Sequence, residues 1–190
     1  RDLMEYARPR STEFCSTSIT DVIEKTLQLV DNRLYKQKVA VEKKLAPDQP
    51  RIHADSQQLE QVLVNLYLNA IDAMPEGGKL TVEAKTARSD GVAPVTVITV
   101  EDTGFGIAET DLPKIFQPFF TAKKRRGMGL GLPICQRIVS NHGGRIEVNS
   151  EPGRGTIFKI CLPSEPKIST GSPASIHEIS SQISTTRTTF

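Results

Sequence analysis

The run Asp55 to Met74, DSQQLEQVLVNLYLNAIDAM, carries two stripes of helical period at once, and few folds satisfy both. Asp55 suits a helix N-cap and Gln58 stands three residues on, so the pair reads as a capping box; Pro75, Gly77 and Gly78 end the helix. Leu59, Leu63, Leu66, Ala70 and Ala73 form an apolar stripe that must face a core. Gln58, Gln61, Asn65, Asn69 and Asp72 follow the same period on another face. Asn65 and Asn69 are one turn apart, so their amides point the same way. Asparagine is a mediocre helix former, and two in mid-helix carry a local cost without an evident packing return. Taken alone, the polar stripe suits an ordinary solvated face equally well.

The 190 residues, 37% hydrophobic and 24% charged, suffice for one domain of ordinary size with tails. No apolar run is long enough to span a bilayer and no signal peptide opens the chain. The chain begins at Arg1 without an initiator Met, so we expect a piece of a longer protein. A formal net charge of +2 gives no electrostatic footprint for nucleic acid; the one dense basic cluster, Lys123 to Arg126, is short and local. Cys15, Cys135 and Cys161 are far apart and form no CxxC pair, which suits a reducing, cytoplasmic compartment and argues against zinc, with two of them filling core.

In chain order, Arg1 to Arg10 reads as the end of a helix broken by Pro9. Ser18 or a neighbour caps a helix whose Ile19, Ile23, Leu27, Val30 and Leu34 carry it to about Tyr35. Val39, Val41 and Leu45 alternate as a strand, Arg51 to Ala54 is a brief second one, and the Asp55 helix follows. Leu80, Val82 and Ala84 mark a strand with one wet face, and Val95 to Val100 is its more buried partner across a turn at Ser89 to Pro94. Asp102 to Gly131 fits no single period and is too long for a plain connection, so it is expected to bind something. A helix from Ile134 to His142, with Pro133 in its first turn and Gly143 after it, leads to a hairpin of Arg145 to Asn149 and Thr156 to Leu162 around Pro152-Gly153-Arg154-Gly155. From Ser164 to Phe190 the composition turns to Ser, Thr and Ile, the mark of a flexible or non-native tail.

Four pieces then stand together: the Asn65 and Asn69 pair, Asp102-Thr-Gly104-Phe-Gly106 after a buried strand, Gly127-Met-Gly129-Leu-Gly131-Leu opening a helix, and Gly153-Arg-Gly155-Thr156 in a turn. An aspartate at a strand end can accept from an exocyclic amine such as that of adenine, and glycines let backbone approach a flat ring. Glycines before a helix N-terminus free amides for phosphate, which the helix dipole favours. Lys123 to Arg126 could neutralise outer phosphates, and the two asparagines offer neutral oxygens to Mg²⁺. Each signal alone is weak, a glycine pair being most often a turn; there is no Walker lysine and no dinucleotide G-x-G-x-x-G.

In this order the boxes NLYLNA (65–70), DTGFG (102–106), IFQPFF (115–120), GMGLGL (127–132) and GRGT (153–156) closely resemble the nucleotide-binding domain of sensor histidine kinases. That family shares its superfamily with gyrase B, the Hsp90 chaperones and MutL, and the wording is most like the nitrogen-regulation branch. The resemblance covers about Ser18 to Pro163. It implies a two-layer α/β sandwich of the Bergerat type, with a mixed sheet and helices on one face, that binds ATP and Mg²⁺. It makes Asn69 the Mg²⁺ ligand with Asn65 nearer the phosphates, Asp102 the adenine-reading carboxylate, and Thr156 a neighbour of the adenine side. Gly104, Gly106, Gly127, Gly129 and Gly131 line the nucleotide, with Ile107, Phe120, Leu130, Leu132 and Asp72 also beside it. Phe116 to Arg126 would be a mobile lid; Phe116, Phe119 and Phe120 suit core or partner contact alike.

Departures from the family pattern matter too. Many members carry Lys where this chain has Asp72, so the phosphate cation must come from elsewhere, Lys123 above all, and Met128 replaces the usual Thr or Ser. The superfamily's hydrolases place a general-base Glu four residues before the metal-binding Asn; Asn65 stands there and cannot take a proton. A kinase acting on a neutral imidazole needs positioning and charge neutralisation more than a base, so phosphoryl transfer is favoured. His53 and His142 read as structural and His177 falls in the tail, so the acceptor histidine is expected upstream, in a helical dimerisation hairpin that residues 1–12 would end. Residues 13–163 would then be the kinase domain and 164–190 the tail, the parent protein being a homodimer, membrane-anchored or not, that serves a response regulator. The rival readings are a hydrolysing ATPase of the chaperone or topoisomerase type and a non-catalytic module that uses nucleotide to order its lid.

Overall fold

The computed structural model describes residues 13–46, 51–89, 92–121 and 128–164. The expected helix end at 1–10, the basic cluster with Lys123, Gly127 and the tail from 165 lie outside them. Two helices and a sheet carry the architecture. Helix α1 (Ile19–Lys36) opens on Ser18, whose hydroxyl accepts from the Asp21 N–H, and buries Ile19, Val22, Ile23, Thr26, Leu27, Val30 and Leu34. Strand β2 (Val39–Leu45) lies parallel to β4 (Gly78–Ser89), which then pairs antiparallel with β5 (Val92–Asp102). Adjacent parallel strands need a crossover, and α2 (Ser56–Ala73) is the element that makes it. That requirement lays α2 across the sheet.

Behind β5 come β7 (Gly155–Pro163) and β6 (Arg145–Glu151), both antiparallel, and the order of the five strands is β2-β4-β5-β7-β6. Helix α3 (Gly131–Asn141) packs beside α2 and against β6. Val82, Val100, Phe158 and Val148 stand opposite one another across four strands, as do Ala84, Ile98, Ile160 and Ile146 one pleat along. With Leu63, Leu66, Tyr67 and Ile71 of α2 they form the core. Each large side chain so buried contributes about 1.5–3 kcal/mol relative to exposure. The other face carries charges in alternation, including Glu42 paired with Lys79 at 3.1 Å and Arg145 with Glu147 at 2.7 Å. The mixed sheet covered by helices on one side is the two-layer arrangement expected.

Local differences from expectation have physical causes. A short strand, β1 (Cys15–Thr17), pairs antiparallel with β3 (Ile52–Ala54), so the strand expected at 51–54 belongs to a separate two-stranded sheet. Three polar or small residues carry no pattern that could announce β1. Strands β4 and β5 run on to Ser89 and from Val92, so their connection is tighter than the Ser89–Pro94 turn expected, and a register shift at Ala87/Ser89 absorbs the irregularity. Helix α3 begins at Gly131, three residues earlier than expected. Ser164, expected in the tail, still docks: its N–H donates to the Pro94 carbonyl at 3.1 Å and its carbonyl accepts from the His53 N–H at 3.4 Å.

The Asp55 cap of α2 makes three hydrogen bonds, one within its own helix and two to other segments. Asp55 Oδ1 accepts from the Gln58 N–H at 3.1 Å, and Oδ2 accepts from the Glu13 N–H at 3.2 Å. The Asp55 N–H donates to His142 Nε2 at 3.0 Å, while His142 Nδ1 stands 2.8 Å from the Ile138 carbonyl. A carbonyl can only accept, so Nδ1 carries the ring proton and Nε2 the lone pair. Phe14 stacks on His53, with centroids 5.7 Å apart, and leans on His142 at 4.9 Å. His142, 6% exposed, is thus structural, as the sequence reading has it. His142→Ala should strand the buried Asp55 N–H and lower stability by about 1–3 kcal/mol. Urea unfolding followed by circular dichroism measures this, and an unmoved midpoint would contradict the bridge.

Candidate functional site

The polar stripe of α2 is not left in open solvent: Asn65 lies beside the start of α3 and Asp72 pairs with Arg33 of α1. Asn65 and Asn69 are both half-buried. The Asn65 amide lies next to Gly131, the first residue of α3: a methyl group on Gly131 would stand 3.8 Å from the Asn65 side-chain oxygen. One turn further in, the Cys135 thiol is fully buried, directs its hydrogen to the Val62 carbonyl at 3.8 Å, and is pushed up to about 12 by burial, with the Asn65 amide pulling the other way. Cys135 is therefore inert packing. Asn65 joins α2 to the amino-terminal end of α3, where backbone N–H groups lack helical partners.

The second box reaches the same helix from the other side. Strand β5 delivers Asp102 at its last residue, 5% exposed, with Oδ1 accepting the Gly104 N–H at 2.8 Å. The chain then turns against the end of α2, the Phe105 N–H donating to the Ala73 carbonyl at 3.0 Å. Asp102 stands opposite Thr156 of β7, which is 4% exposed. Residues facing each other across an antiparallel pair hold their Cβ atoms about 4.5–5.5 Å apart. Gly155 makes the approach possible: with φ +104, a methyl group there would collide with the Asp102 carbonyl. The loop beyond is tied down as well, the Ile107 N–H donating to Ser150 Oγ at 2.8 Å and the Gly153 N–H to the Phe105 carbonyl at 2.8 Å.

Two of the expected turns thus meet α2, the start of α3 at Asn65 and the Asp102–Gly104 turn at Ala73, while the β6–β7 turn meets the Asp102 turn. Gly104 packs on Ala73 at the end of α2 and Gly131 lies beside Asn65, whereas Gly106 packs on Glu151 and Pro152 of the β6–β7 turn; Ile107, Phe120 and Leu132 are half-buried and packed on the core. Leu130 caps α3, its carbonyl accepting from the Ile134 N–H at 3.1 Å, and the Gly129 carbonyl accepts from the Phe119 N–H at 3.0 Å. Of the three aromatic residues left open by sequence, Phe116 and Phe120 pack on the core while Phe119, at φ 66, is 75% exposed. Asp72 is engaged elsewhere: its Oδ1 lies 2.6 Å from Arg33 Nη2, which ties α2 to α1. Lys123 and Gly127 lie outside the described residues.

Sequence reasoning missed Ser150 and Arg33. Ser150 faces Thr156 across the β6–β7 pair, a register fixed by the turn, so the length of that turn is the signal that could have found it. Nothing local to Arg33 marks it as the partner of Asp72, because the two are brought together only by helix packing. Two surface hollows, one between α1 and β2 and one near Ser16 and Arg51, include none of the glycine turns. Among the described residues no three His, Cys, Asp or Glu side chains gather as metal donors. No helix among them is long and apolar enough to cross a membrane.

Comparison with known proteins shows the family and the fold. Residues 54–166 match the family described as histidine kinase-, DNA gyrase B- and HSP90-like ATPase. The sensor histidine kinase ZraS of Salmonella typhi is 41% identical over 162 residues, which is 85% of this chain and 34% of that protein. Sporulation kinase C of Bacillus subtilis is 35% identical over 164 residues, 85% of this chain and 37% of that protein. The chain therefore spans about a third of the length of these relatives. Among solved structures, the nucleotide-free catalytic domain of histidine kinase ThkA superposes with a TM-score of 0.72 at 30% identity, covering 81% of this chain and 97% of that one. ThkA in complex with the response regulator protein TrrA gives 0.71 at 29% identity over 87% of this chain and 46% of that one.

The Gly155 approach is testable in stability. Gly155→Ala forces a side chain into backbone and should cost about 2 kcal/mol or more. Gly153→Ala, where a methyl group meets nothing within 4 Å, carries only the left-handed backbone cost of about 1–2 kcal/mol. Thermal unfolding of the pair checks the order, and equal losses would count against the close approach.

Proposed function

The chain belongs to the histidine kinase-, DNA gyrase B- and HSP90-like ATPase family, and we propose that it is the ATP-binding catalytic domain of a sensor histidine kinase, donating the γ-phosphoryl group of ATP to a histidine on another domain of its parent protein. The observation that carries this reading is that α2 is met at Asn65 by the start of α3 and at Ala73 by the turn that follows Asp102, itself opposite Thr156. The two meeting places differ in chemistry. At one, a carboxylate and a hydroxyl can read an exocyclic amine; at the other, amide oxygens and the α3 N-terminus suit a magnesium-bound polyphosphate.

Asn69 would hold Mg²⁺ and Asn65 would lie nearer the phosphates, since Mg²⁺ takes hard neutral oxygens while keeping most of its water. The ion, when bound, supplies charge neutralisation on the transferring phosphoryl group. The chain's own residues orient the triphosphate, Asp102 fixing the base and the α3 N-terminus facing the anion. Lys123 supplies the cation that Asp72, held by Arg33, does not. In the transfer, the bond from the γ-phosphorus to the β,γ-bridging oxygen breaks and one to an imidazole nitrogen forms, leaving ADP. Water gains no comparable help, because Asn65 offers no carboxylate to take its proton. The parent would be a homodimer that presents the acceptor histidine on a dimerisation hairpin and passes the phosphoryl group to a response regulator; the ThkA–TrrA complex supports the last pairing.

Asn69→Ala and Asp102→Ala should each weaken ATP binding about 30-fold or more by calorimetry, the loss of a hydrogen bond to a buried charged group. Retained circular dichroism would show the fold intact, and unchanged affinity would refute the assignment. Mixed with a separate acceptor hairpin from its parent and radiolabelled ATP, the domain should label a histidine. ATP turnover to free phosphate without the hairpin would favour a hydrolase instead.

A further inference from the structure

Ser150 lies outside every glycine box, yet three groups of the base-facing end meet at its hydroxyl. Ser150 Oγ donates to the Gly155 carbonyl at 2.8 Å. The Ile107 N–H donates to Ser150 Oγ at 2.8 Å. Thr156 Oγ1 stands 3.0 Å from the same atom. A hydroxyl has one proton and two lone pairs. A carbonyl cannot give a proton, so the serine proton goes to Gly155, and the Ile107 N–H occupies one lone pair. The remaining lone pair can bind Thr156 only if Thr156 donates. Thr156 has then used its single proton, and whatever else it meets must bring a hydrogen.

Thr156 faces Asp102 across the β5–β7 pair, both nearly out of solvent. A carboxylate and a hydroxyl locked as an acceptor make a surface of one hydrogen-bonding polarity. A water between them spends both protons on the two acceptors and again shows a lone pair outward. An amino group satisfies that surface; a keto oxygen in its place would leave buried acceptors opposed to one another, which is costly. We propose that Ser150, by fixing Thr156 as an acceptor, sets the base specificity of the nucleotide site in favour of 6-amino over 6-keto purines. This rests on the nucleotide-binding reading above. Ser150 touches no ligand in this account; it is a positioning residue that acts through Thr156.

The test compares two triphosphates that differ at this group. Binding of ATP and of inosine triphosphate, each with Mg²⁺, is measured by calorimetry for the wild-type protein, Ser150→Ala and Ser150→Thr. The wild-type domain should prefer ATP. Ser150→Ala frees the Thr156 proton to rotate toward a keto group, so the ratio of the two affinities should shrink about tenfold, the worth of one hydrogen bond gained against one lost. Ser150→Thr keeps the hydroxyl and should restore the ratio. A merely structural serine would weaken both ligands in proportion, and an unchanged ratio overturns the proposal. Should Ser150→Ala fail to fold, Thr156→Val removes the acceptor while keeping strand shape, and it should weaken ATP more than the inosine nucleotide; an unchanged ratio there overturns the proposal equally. Wild-type protein that binds neither triphosphate overturns the nucleotide reading and this inference with it, whereas a wild-type preference for ATP that survives the substitutions overturns the role of Ser150 alone.

Discussion

The apolar stripe of α2 against strands β4, β5 and β7 is the contact on which the rest of the molecule depends. Leu59, Leu63, Leu66, Ala70 and Ile71 are each no more than 3% exposed. Because β2 and β4 are parallel neighbours, the chain must cross over between them, and α2 is the one long element among the described residues of that stretch. Once the stripe is buried, the orientation of the helix is fixed about its axis. The Asn65 amide then faces the start of α3 because the leucines face the sheet, and Asn69, one turn on, is half-buried.

The position of α2 along its own axis is set by polar contacts at its first turn. Asp55 uses both carboxylate oxygens and its N–H at once, binding Gln58 of its own helix, Glu13 of the incoming segment and His142 at the end of α3. Sliding the helix by one residue would break the two bonds to Glu13 and His142, and buried polar groups left unpaired are expensive. Phe14, lodged between His53 and His142, adds an aromatic contact to the same joint. The first described residues are thus bolted to the N-cap of the helix that carries the paired asparagines.

The Asp102–Thr156 pair is built on backbone proximity. Gly155 lets β7 lie against the Asp102 carbonyl, and Ser150 ties the Ile107 loop to the β6–β7 hairpin. These contacts join segments that are about fifty residues apart in sequence, so the distance between Asp102 and Thr156 is a property of sheet register. The same holds where Asn65 meets Gly131 through the packing of α2 on α3.

Much of this was legible from residue order. The α1 and α2 helices, their Ser18 and Asp55 caps, the wet face of β4 and the β6–β7 hairpin all follow from local periodicity and turn chemistry, which act over a few residues. Strand β1 was not legible, because Cys15–Thr17 has no pattern of its own and exists only as a partner for β3. The second limb of the expected capping box was not either, since the Asp55 N–H turns to His142, 87 residues away. Nor could Asp72 be placed, since the Arg33 that binds it sits on a different helix. The sequence by itself determined which side chains are available for binding and which faces must be buried, because those depend on local spacing and on hydrophobicity. Only the tertiary structure decided which available groups meet, because register and helix packing bring together atoms that the chain keeps far apart.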